Sequence, residues 1–357
     1  MTWSLPRLRR ADLDALGRGL ALVALVVFAG ACNELHPRNT LEPIADTGDI
    51  SAWFYHMLLW VDIVILVIVM GVWTFAVLKY RQRAGDTALP PQDFGNAKME
   101  LIWTVLPTII VIAIAVPTVG GIFKLAERPD PNQKIIEVEI TGKQWWWEFD
   151  YTKEGINTAN ELHVEAGTQV LLRMTSADVI HAWWVPRLGG KRDATPGRRQ
   201  DMHFIAREVG TFDGQCAELC GASHALMGTR IIVHPPAGPD SYQHWVEEQQ
   251  EKAHEPVAGS PEEKGRKVFL EKGCVACHTV TGVAELAPGA RSRTSGPNLT
   301  HVGSRTRIAA NTLDNNIDNL AKWVKNPQSI KPAALMSNLG LSDDDAKAVA
   351  TYLFSLK

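Results

Sequence analysis

The sequence is poor in cysteine and carries almost no net charge. Five cysteines occur among 357 residues, as two close pairs and the single Cys32. Close pairs more often hold metals or cofactors than form a disulfide framework, so the sequence does not predict a disulfide-stabilised scaffold. A formal net charge of −3 excludes the strongly basic class of chain that binds nucleic acid through its charge. We therefore expect no nucleic-acid partner.

Apolar residues are scarce over much of the chain and crowd into three stretches of its first third. The length predicts two or three structural units. The first stretch, residues 20–28, is too short to span a bilayer, and it lies after four arginines. A basic flank, a short apolar run and small residues predict a secretory signal peptide over residues 1–31. Its processing has two alternatives: cleavage after Ala31, or lipidation of Cys32 as the mature N-terminus.

The other two apolar stretches predict a transmembrane helix hairpin over residues 50–126. They cover residues 57–78 and 101–123, and about 20 helical residues cross a hydrocarbon core of roughly 30 Å. The alternative is a pair of buried helices in a large soluble core. Lys and Arg outnumber acidic residues in the intervening loop, which indicates a cytoplasmic loop. The sequence therefore predicts a multi-pass protein of the bacterial cell membrane with its remaining domains outside.

Three further segments come after the hairpin. Short β-type runs separated by turn residues predict an all-β sandwich or barrel over residues 133–236. Residues 237–259, rich in Pro, Gly, Glu and Gln, are predicted to form a linker. Residues 260–357 are predicted to be all-α, since Ser260 and the Pro-Glu-Glu after it are typical of a helix N-terminus.

The β segment contains a C-x-E-x-C-x₃-H-x₂-M motif made of Cys216, Glu218, Cys220, His224 and Met227. Thiolate, imidazole and thioether ligands together favour copper. Structural zinc sites do not use Met, and a blue-copper site uses one Cys rather than two. The alternative without a metal is a structural Cys pair with an unrelated His and Met. A second imidazole for a pair of coppers would come from elsewhere in the chain.

Asp178, His181 and this cysteine loop resemble subunit II of the haem–copper cytochrome c oxidases. In that family a cupredoxin domain, a Greek-key β-sandwich, comes after a two-helix hairpin and binds the binuclear CuA centre. The resemblance implies that the Glu218 side chain reaches a magnesium ion at the contact with subunit I. The copper ligands that it implies are bridging Cys216 and Cys220, one His each from His181 and His224, and axial Met227 and the Glu218 carbonyl.

Two further positions match the family. Trp145 corresponds to the residue thought to receive electrons from cytochrome c, although an aromatic run in a strand is more often core or interface anchoring. Glu100 corresponds to a residue at the mouth of a proton channel that feeds subunit I. A carboxylate there also favours the helix N-terminus electrostatically.

The C-terminal segment contains Cys274-x-x-Cys277-His278, the attachment signature of c-type haem. A redox dithiol is the alternative. Met336 is expected to be the second axial ligand, because no other Met occurs after Met227, although it could be a core residue. His/Met ligation raises the haem potential. Residues 296–299 resemble the loop of class I cytochromes c in which a prolyl carbonyl, here Pro297, orients the axial His.

Together these segments resemble an oxidase subunit II with a fused class I cytochrome c. The resemblance implies electron transfer from an external cytochrome c or another periplasmic donor to haem c, then CuA, then the haems of subunit I, for oxygen reduction with proton translocation. Subunit III and membrane lipid are further expected partners. The chain itself lacks a multi-helix, His-rich core for oxygen reduction. Two alternatives are the input subunit of a nitric oxide reductase and a stand-alone membrane-tethered redox carrier.

Overall fold

The computed structural model describes residues 37–81, 85, 92, 95–284 and 296–357. The predicted signal peptide (1–31) and Cys32 lie outside the described residues. The described chain forms two long apolar helices, a β-sandwich and a small helical domain, as the sequence predicted. The multidomain fold class is therefore confirmed.

The two apolar helices are α1 (Asp46–Lys79) and α2 (Ala97–Leu125). Both are long and apolar enough to cross a membrane, and their most apolar windows are not buried within the protein. Within the described residues these are the two candidate spans, so the chain is two-pass, and the broader prediction of a multi-pass protein is corrected. Its N-terminal turns make α1 longer than predicted: 34 residues extend about 50 Å, well beyond a hydrocarbon core of roughly 30 Å.

The extra turns of α1 attach the helix to the β-sandwich. The Asp46 carboxylate accepts a hydrogen bond from the Ile205 backbone at 2.8 Å, and the Thr47 hydroxyl donates to the Leu188 carbonyl at 2.7 Å. Each contact pairs a side chain of the first turn with the backbone of the sandwich domain. Hydropathy missed these turns because their polar residues face the β-sandwich rather than lipid.

The β-sandwich consists of two five-stranded sheets with the orders β3-β2-β1-β5-β8 and β4-β10-β9-β6-β7. Strand β1 pairs in parallel with β5, and β10 with β4. Along β1, buried residues alternate with partly exposed ones, as expected for a strand with one face on the core. The strands are β1 Ile135–Lys143, β2 Trp146–Tyr151, β3 Ile156–Ala159, β4 Glu161–Glu165, β5 Gln169–Ser176, β6 His181–Trp184, β7 Arg192–Ala194, β8 Gln200–Ile205, β9 Gly210–Cys216 and β10 Gly228–His234.

The segment predicted as a linker, residues 237–259, contains helix α3 (Tyr242–Gln250). Trp245 of this helix stacks on His163 of β4, with ring centroids 4.2 Å apart. His163 Nδ1 lies 2.8 Å from His234 Nε2 at the end of β10. Nine residues of the predicted linker therefore form a helix that packs on the sandwich, while the domain boundaries remain predictions.

This histidine pair makes the attachment of α3 dependent on pH. Burial lowers the pKa of both His163 and His234 below their ordinary value of 6.5. Both rings are therefore neutral when folded, whereas unfolding lets them take up protons below about pH 6.5. Their contribution to stability is fully present above that pH and declines as the pH falls from there towards the lowered pKa values of the folded protein.

We expect hydrogen exchange of the α3 amides to accelerate when the pH is lowered from about 7.5 to about 5.5, after correction for the intrinsic exchange rate. The β1 amides serve as an internal control and should keep their protection. Replacing His234 by Gln should weaken the pH dependence, because one of the two titrating rings is gone. Equal protection of α3 at both pH values would contradict the expectation.

The helical domain consists of α4 (Pro261–Glu271), α5 (Ile317–Lys325), α6 (Pro327–Ile330) and α7 (Asp343–Ser355), with a short hairpin of β11 (Arg307–Ile308) and β12 (Leu313–Asp314). Helices α4 and α7 cross at Gly265. A Cβ at this position would lie 2.0 Å from the Ala348 carbonyl, so only glycine permits the close approach. Phe269 and Tyr352 pack edge to face beside the crossing, at 5.6 Å.

Candidate metal centre and cofactor cavity

Two neighbouring strands and one loop bring the predicted copper ligands together. His181 begins β6 and Cys216 ends β9, and these strands pair with Trp183 opposite Cys216. The loop from Cys216 to β10 carries the remaining ligand candidates. Two of the strand ends therefore place an imidazole and a thiol side by side, 35 residues apart in sequence.

The donor atoms of this group lie close to one another. The sulfur atoms of Cys216 and Cys220 are 3.8 Å apart. His181 Nδ1 lies 3.9 Å from the Cys216 sulfur, and His224 Nδ1 lies 3.5 Å from the Cys220 sulfur. The Met227 sulfur lies 3.8 Å from the Cys220 sulfur. Each thiol therefore has its own imidazole beside it.

The Glu218 carbonyl completes the group, at 3.3 Å from the Cys216 sulfur. All six groups singled out in the sequence thus converge on one position. His181, Cys216 and Cys220 also form a buried set that could hold a metal ion. Soft sulfur and imidazole donors in this number fit copper rather than a hard cation.

Asp178 orients the His181 ring. His181 Nε2 lies 2.7 Å from the Asp178 carboxylate, which leaves Nδ1 directed at Cys216. Burial alone would lower the pKa of His181, but the hydrogen bonds with Asp178 and Cys216 outweigh it and raise that pKa. A carboxylate behind a metal-binding imidazole is a common device for fixing its tautomer and orientation.

The two thiols of this centre share one proton. The hydrogen bond with Cys220 lowers the pKa of Cys216, and the same contact raises the pKa of Cys220. Like charges this close cannot both persist without a cation between them. The pair is therefore suited to a metal that takes the place of the shared proton.

The helical domain contains a cavity of about 310 Å³ lined by the predicted haem residues. Cys274, Cys277, His278 and Met336 all contribute to its wall. His278 Nδ1 lies 2.8 Å from the Pro297 carbonyl, which leaves Nε2 free to point into the cavity. This is the contact that the sequence predicted for Pro297. An apolar cavity with two thiols and an imidazole on its wall fits a covalently attached haem.

Trp145 lies between the candidate copper site and the cavity of the helical domain. It lines the haem-domain cavity, and its indole Nε1 donates to the Cys220 carbonyl at 3.1 Å. The neighbouring Gln144 side chain donates to the same carbonyl at 2.7 Å. One 7% exposed side chain therefore touches the loop of the candidate copper site and faces the haem cavity.

The helical domain is docked on the β-sandwich through buried polar contacts. Glu161 of β4 is 2% exposed, and its carboxylate accepts from the backbone N–H groups of Thr306 at 2.9 Å and Arg307 at 3.1 Å. The Thr306 hydroxyl donates to the same carboxylate. At a second point the Gly228 N–H donates to the Ala310 carbonyl at 3.0 Å.

Other residues of interest fall outside this cluster or were not predicted. Glu100 lies in the first turn of α2, at the far end of the hairpin, and does not join either site. Sequence reasoning missed Arg305, a buried guanidinium on the cavity wall, whose pKa burial lowers to about 10. It also missed the docking residue Glu161 and the buried Lys331. A charged residue within an otherwise apolar segment was the available signal for Lys331.

Comparison with known proteins agrees with this arrangement. Residues 45–120 match "Cytochrome C oxidase subunit II, transmembrane domain", residues 154–234 match the periplasmic domain of the same family, and residues 262–357 match "Cytochrome c". These three matches cover the hairpin, the sandwich and the helical domain in turn. The periplasmic match indicates that the soluble domains lie outside the membrane.

Individual relatives cover nearly the whole chain. Cytochrome c oxidase subunit 2 of Alkalihalophilus pseudofirmus is 37% identical over 95% of this chain and 97% of its own length. The Bacillus subtilis protein of the same name is 31% identical over 89% of this chain and 92% of its own length. The solved periplasmic domain of subunit II from Bradyrhizobium japonicum is 33% identical, covers 34% of this chain and 96% of its own, and has a TM-score of 0.31.

The family match implies copper and haem as cofactors and a subunit I as partner. The chain belongs to the cytochrome c oxidase subunit II family, as a two-helix member with a C-terminal cytochrome c domain, and is the electron-input subunit of an oxidoreductase.

Proposed function

We propose that this chain carries electrons, one at a time, from an external donor to subunit I of a cytochrome c oxidase, by way of its own haem c and binuclear copper centre. When bound, a haem iron and a copper pair supply reversible one-electron oxidation and reduction. The residues of this chain bind these groups, orient them, and keep water away from the path between them.

For the copper centre, Cys216 and Cys220 would both hold the metal, since their sulfurs lie 3.8 Å apart. His181 and His224 would each bind one ion, and Met227 and the Glu218 carbonyl would provide weak axial contacts. Asp178 would hold the His181 ring in place through its 2.7 Å hydrogen bond. A set of donors fixed by two strands and a short loop would move little when the charge changes.

For the haem, Cys274 and Cys277 would form the two thioether links, and His278 and Met336 would occupy the axial positions. The Pro297 carbonyl would orient His278 through its 2.8 Å contact. Arg305 would neutralise a haem propionate, because its buried guanidinium lies on the cavity wall.

The observation that carries the proposal is the position of Trp145. Its side chain lines the haem cavity and donates to the Cys220 carbonyl, so one side chain and one hydrogen bond separate the cavity from the Cys220 loop. Trp145 would therefore be the point of electron input to the copper centre.

Further parts of the proposal concern the contacts with other subunits. The partly exposed Glu218 side chain would reach a magnesium ion at the boundary with subunit I. Glu100, at the cytoplasmic end of α2, would lie at the mouth of a proton channel that serves proton translocation. A subunit III, membrane lipid and an external cytochrome c or other periplasmic donor would complete the assembly in a bacterial membrane.

The proposal is tested on the full chain, purified with subunit I and loaded with haem and copper. We expect electron paramagnetic resonance to show one electron shared by two copper nuclei, and absorption to show a low-spin His/Met haem c. After rapid reduction of the haem, absorbance should report its reoxidation as the copper centre is reduced.

Turnover measurements then separate the alternatives. Oxygen consumption by the complex supports the oxidase assignment, whereas turnover with nitric oxide and not with oxygen would favour a nitric oxide reductase. Purification without any haem-rich membrane subunit would favour a stand-alone redox carrier. A spectrum of a single isolated copper would contradict the binuclear centre.

A further inference from the structure

A buried lysine lies at the boundary between the helical domain and the β-sandwich. Lys331, the residue directly after α6, is 3% exposed. Its ammonium group donates a hydrogen bond to the main-chain oxygen of Trp145, and the main-chain oxygen of Ala309 lies 3.4 Å from the same nitrogen. Lys331 therefore joins the loop that leads to Met336 with a second loop of its own domain and with the backbone of the sandwich.

The charge of Lys331 is not balanced in the ordinary way. Within the described part of the chain, no carboxylate forms an ion pair with it. Burial lowers the pKa of Lys331 to about 7, while the charge of Cys220 acts in the opposite direction. Lysine is almost never fully buried unless it is paired, because removing an ammonium group from water costs several kcal/mol. A side chain that only filled space would be apolar, so the charge itself requires an explanation.

Lys331 lies between the two redox sites. It lines the same cavity as His278 and Met336. The residue whose carbonyl it binds, Trp145, donates through its indole to the Cys220 carbonyl.

The residue after Lys331 makes a second connection to the copper loop. The Pro332 carbonyl accepts a hydrogen bond from the Ser223 hydroxyl, and Ser223 immediately precedes the copper-ligand candidate His224. The haem-side loop is therefore attached at two consecutive residues to segments that surround Cys220.

We propose that Lys331 is a positioning residue for electron transfer: it holds the loop that carries Met336 against Trp145 and, in its protonated form, places a positive charge between the haem cavity and the Cys220 side chain. The inference rests on the proposed function. In the transfer, one electron leaves the haem iron, which is oxidised, and enters the copper pair, which is reduced. No bond forms or breaks. Because the pKa of Lys331 is about 7, the variants are compared at about pH 6, where its amine is protonated. A nearby positive charge favours the reduced form of both centres, and burial weakens the screening by water.

The test compares Lys331→Met and Lys331→Arg with the unmodified full chain, loaded with haem and copper and assembled with subunit I. We expect Lys331→Met to lower the reduction potentials of both centres and to slow haem-to-copper transfer about tenfold. For each centre, a tenfold change in the equilibrium between its oxidised and reduced forms corresponds to a 59 mV change in the reduction potential. Lys331→Arg keeps the charge and should keep both potentials. Lys325→Met, which removes an exposed lysine of α5 paired with Asp343, is the matched control and should change neither.

The possible outcomes separate this inference from the proposed function. Unchanged potentials and an unchanged transfer rate in Lys331→Met, with native haem and copper spectra, would overturn the role of Lys331 alone. If Lys331→Met does not retain haem, the Lys331→Gln and Lys331→Arg variants are compared instead. Lower reduction potentials in the Gln variant than in the Arg variant support the inference, and equal potentials in the two variants overturn it. Failure of the unmodified chain to transfer electrons from haem to copper would overturn the proposed function instead.

Discussion

Replacing Cys216 by Ser is expected to abolish the binuclear copper centre. The Cys216 sulfur has three other donors of the group beside it: the Cys220 sulfur at 3.8 Å, His181 Nδ1 at 3.9 Å and the Glu218 carbonyl at 3.3 Å. A hydroxyl is a hard, weakly acidic ligand that does not replace a bridging thiolate for copper. Copper content should fall from about two ions per chain to about one or none. Electron paramagnetic resonance should lose the pattern of an electron shared by two nuclei.

The matched control is Ala217→Ser, which adds the same hydroxyl to the neighbouring residue and leaves all six donors in place. It should keep two coppers and the unmodified spectrum. The haem spectrum should be native in both variants, because the haem residues lie in another domain. A Cys216→Ser protein with a normal binuclear signal would show that Cys216 does not bridge the metals. The rate of haem reoxidation in the Ser variant reports how far onward transfer depends on the centre.

The parts of the molecule predicted from the sequence are those encoded by neighbouring residues. Cys216, Cys220, His224 and Met227 come from one loop, so their spacing alone indicated a metal site. The Cys274-x-x-Cys277-His278 motif is equally local. Short β-type runs between turn residues predicted the strands, and the length of the apolar runs predicted the helices. His181 required the family resemblance, because it reaches Cys216 only through the pairing of β6 with β9.

The features that sequence reasoning missed depend on contacts between distant residues. Lys331 and Trp145 are 186 residues apart in sequence, and Glu161 and Thr306 are 145 apart. A single buried charge has no periodic signature, and its partner is set only by how the domains dock. Helix α3 is a different case, since Tyr242, Trp245 and Val246 have helical spacing and are buried. The polar composition of the surrounding segment obscured this signal.

Replacing Glu161 by Ala is expected to release the helical domain from the sandwich and to slow haem-to-copper transfer severely. The carboxylate accepts two backbone N–H groups and one hydroxyl from residues 306–307. Hydrogen bonds to charged groups contribute about 1.5–3 kcal/mol each, and the buried donors would lose their partner. A loss of about 3 kcal/mol shifts the docking equilibrium more than a hundredfold. Electron transfer would then require the released helical domain to dock on the β-sandwich again.

The backbone conformation near the Glu161 contact favours release of the helical domain from the sandwich. Ala309, Ala310 and Asn311 have φ angles of 52°, 56° and 63°, a left-handed conformation that costs roughly 1–2 kcal/mol per non-glycine residue. Such strain persists only where surrounding contacts hold it, and here Ala310 is held by Gly228 across the boundary. Once Glu161 is removed, relaxation of these residues in the released domain lowers the free energy of undocking further.

Three measurements check this expectation on the full chain with both cofactors. Haem and copper spectra should stay native, small-angle scattering should show a more extended molecule, and haem reoxidation should slow by about two orders of magnitude. The Glu161→Gln variant keeps one acceptor oxygen, so its extension and its rate of haem reoxidation should lie between those of the unmodified chain and those of Glu161→Ala. Glu165→Ala removes a carboxylate of the same strand that pairs with Lys134, away from the helical domain, and should transfer electrons normally. A compact Glu161→Ala protein with an unmodified rate would mean that the other contacts across the boundary, among them those of Lys331, Gly228 and Asn311, hold the domains without Glu161.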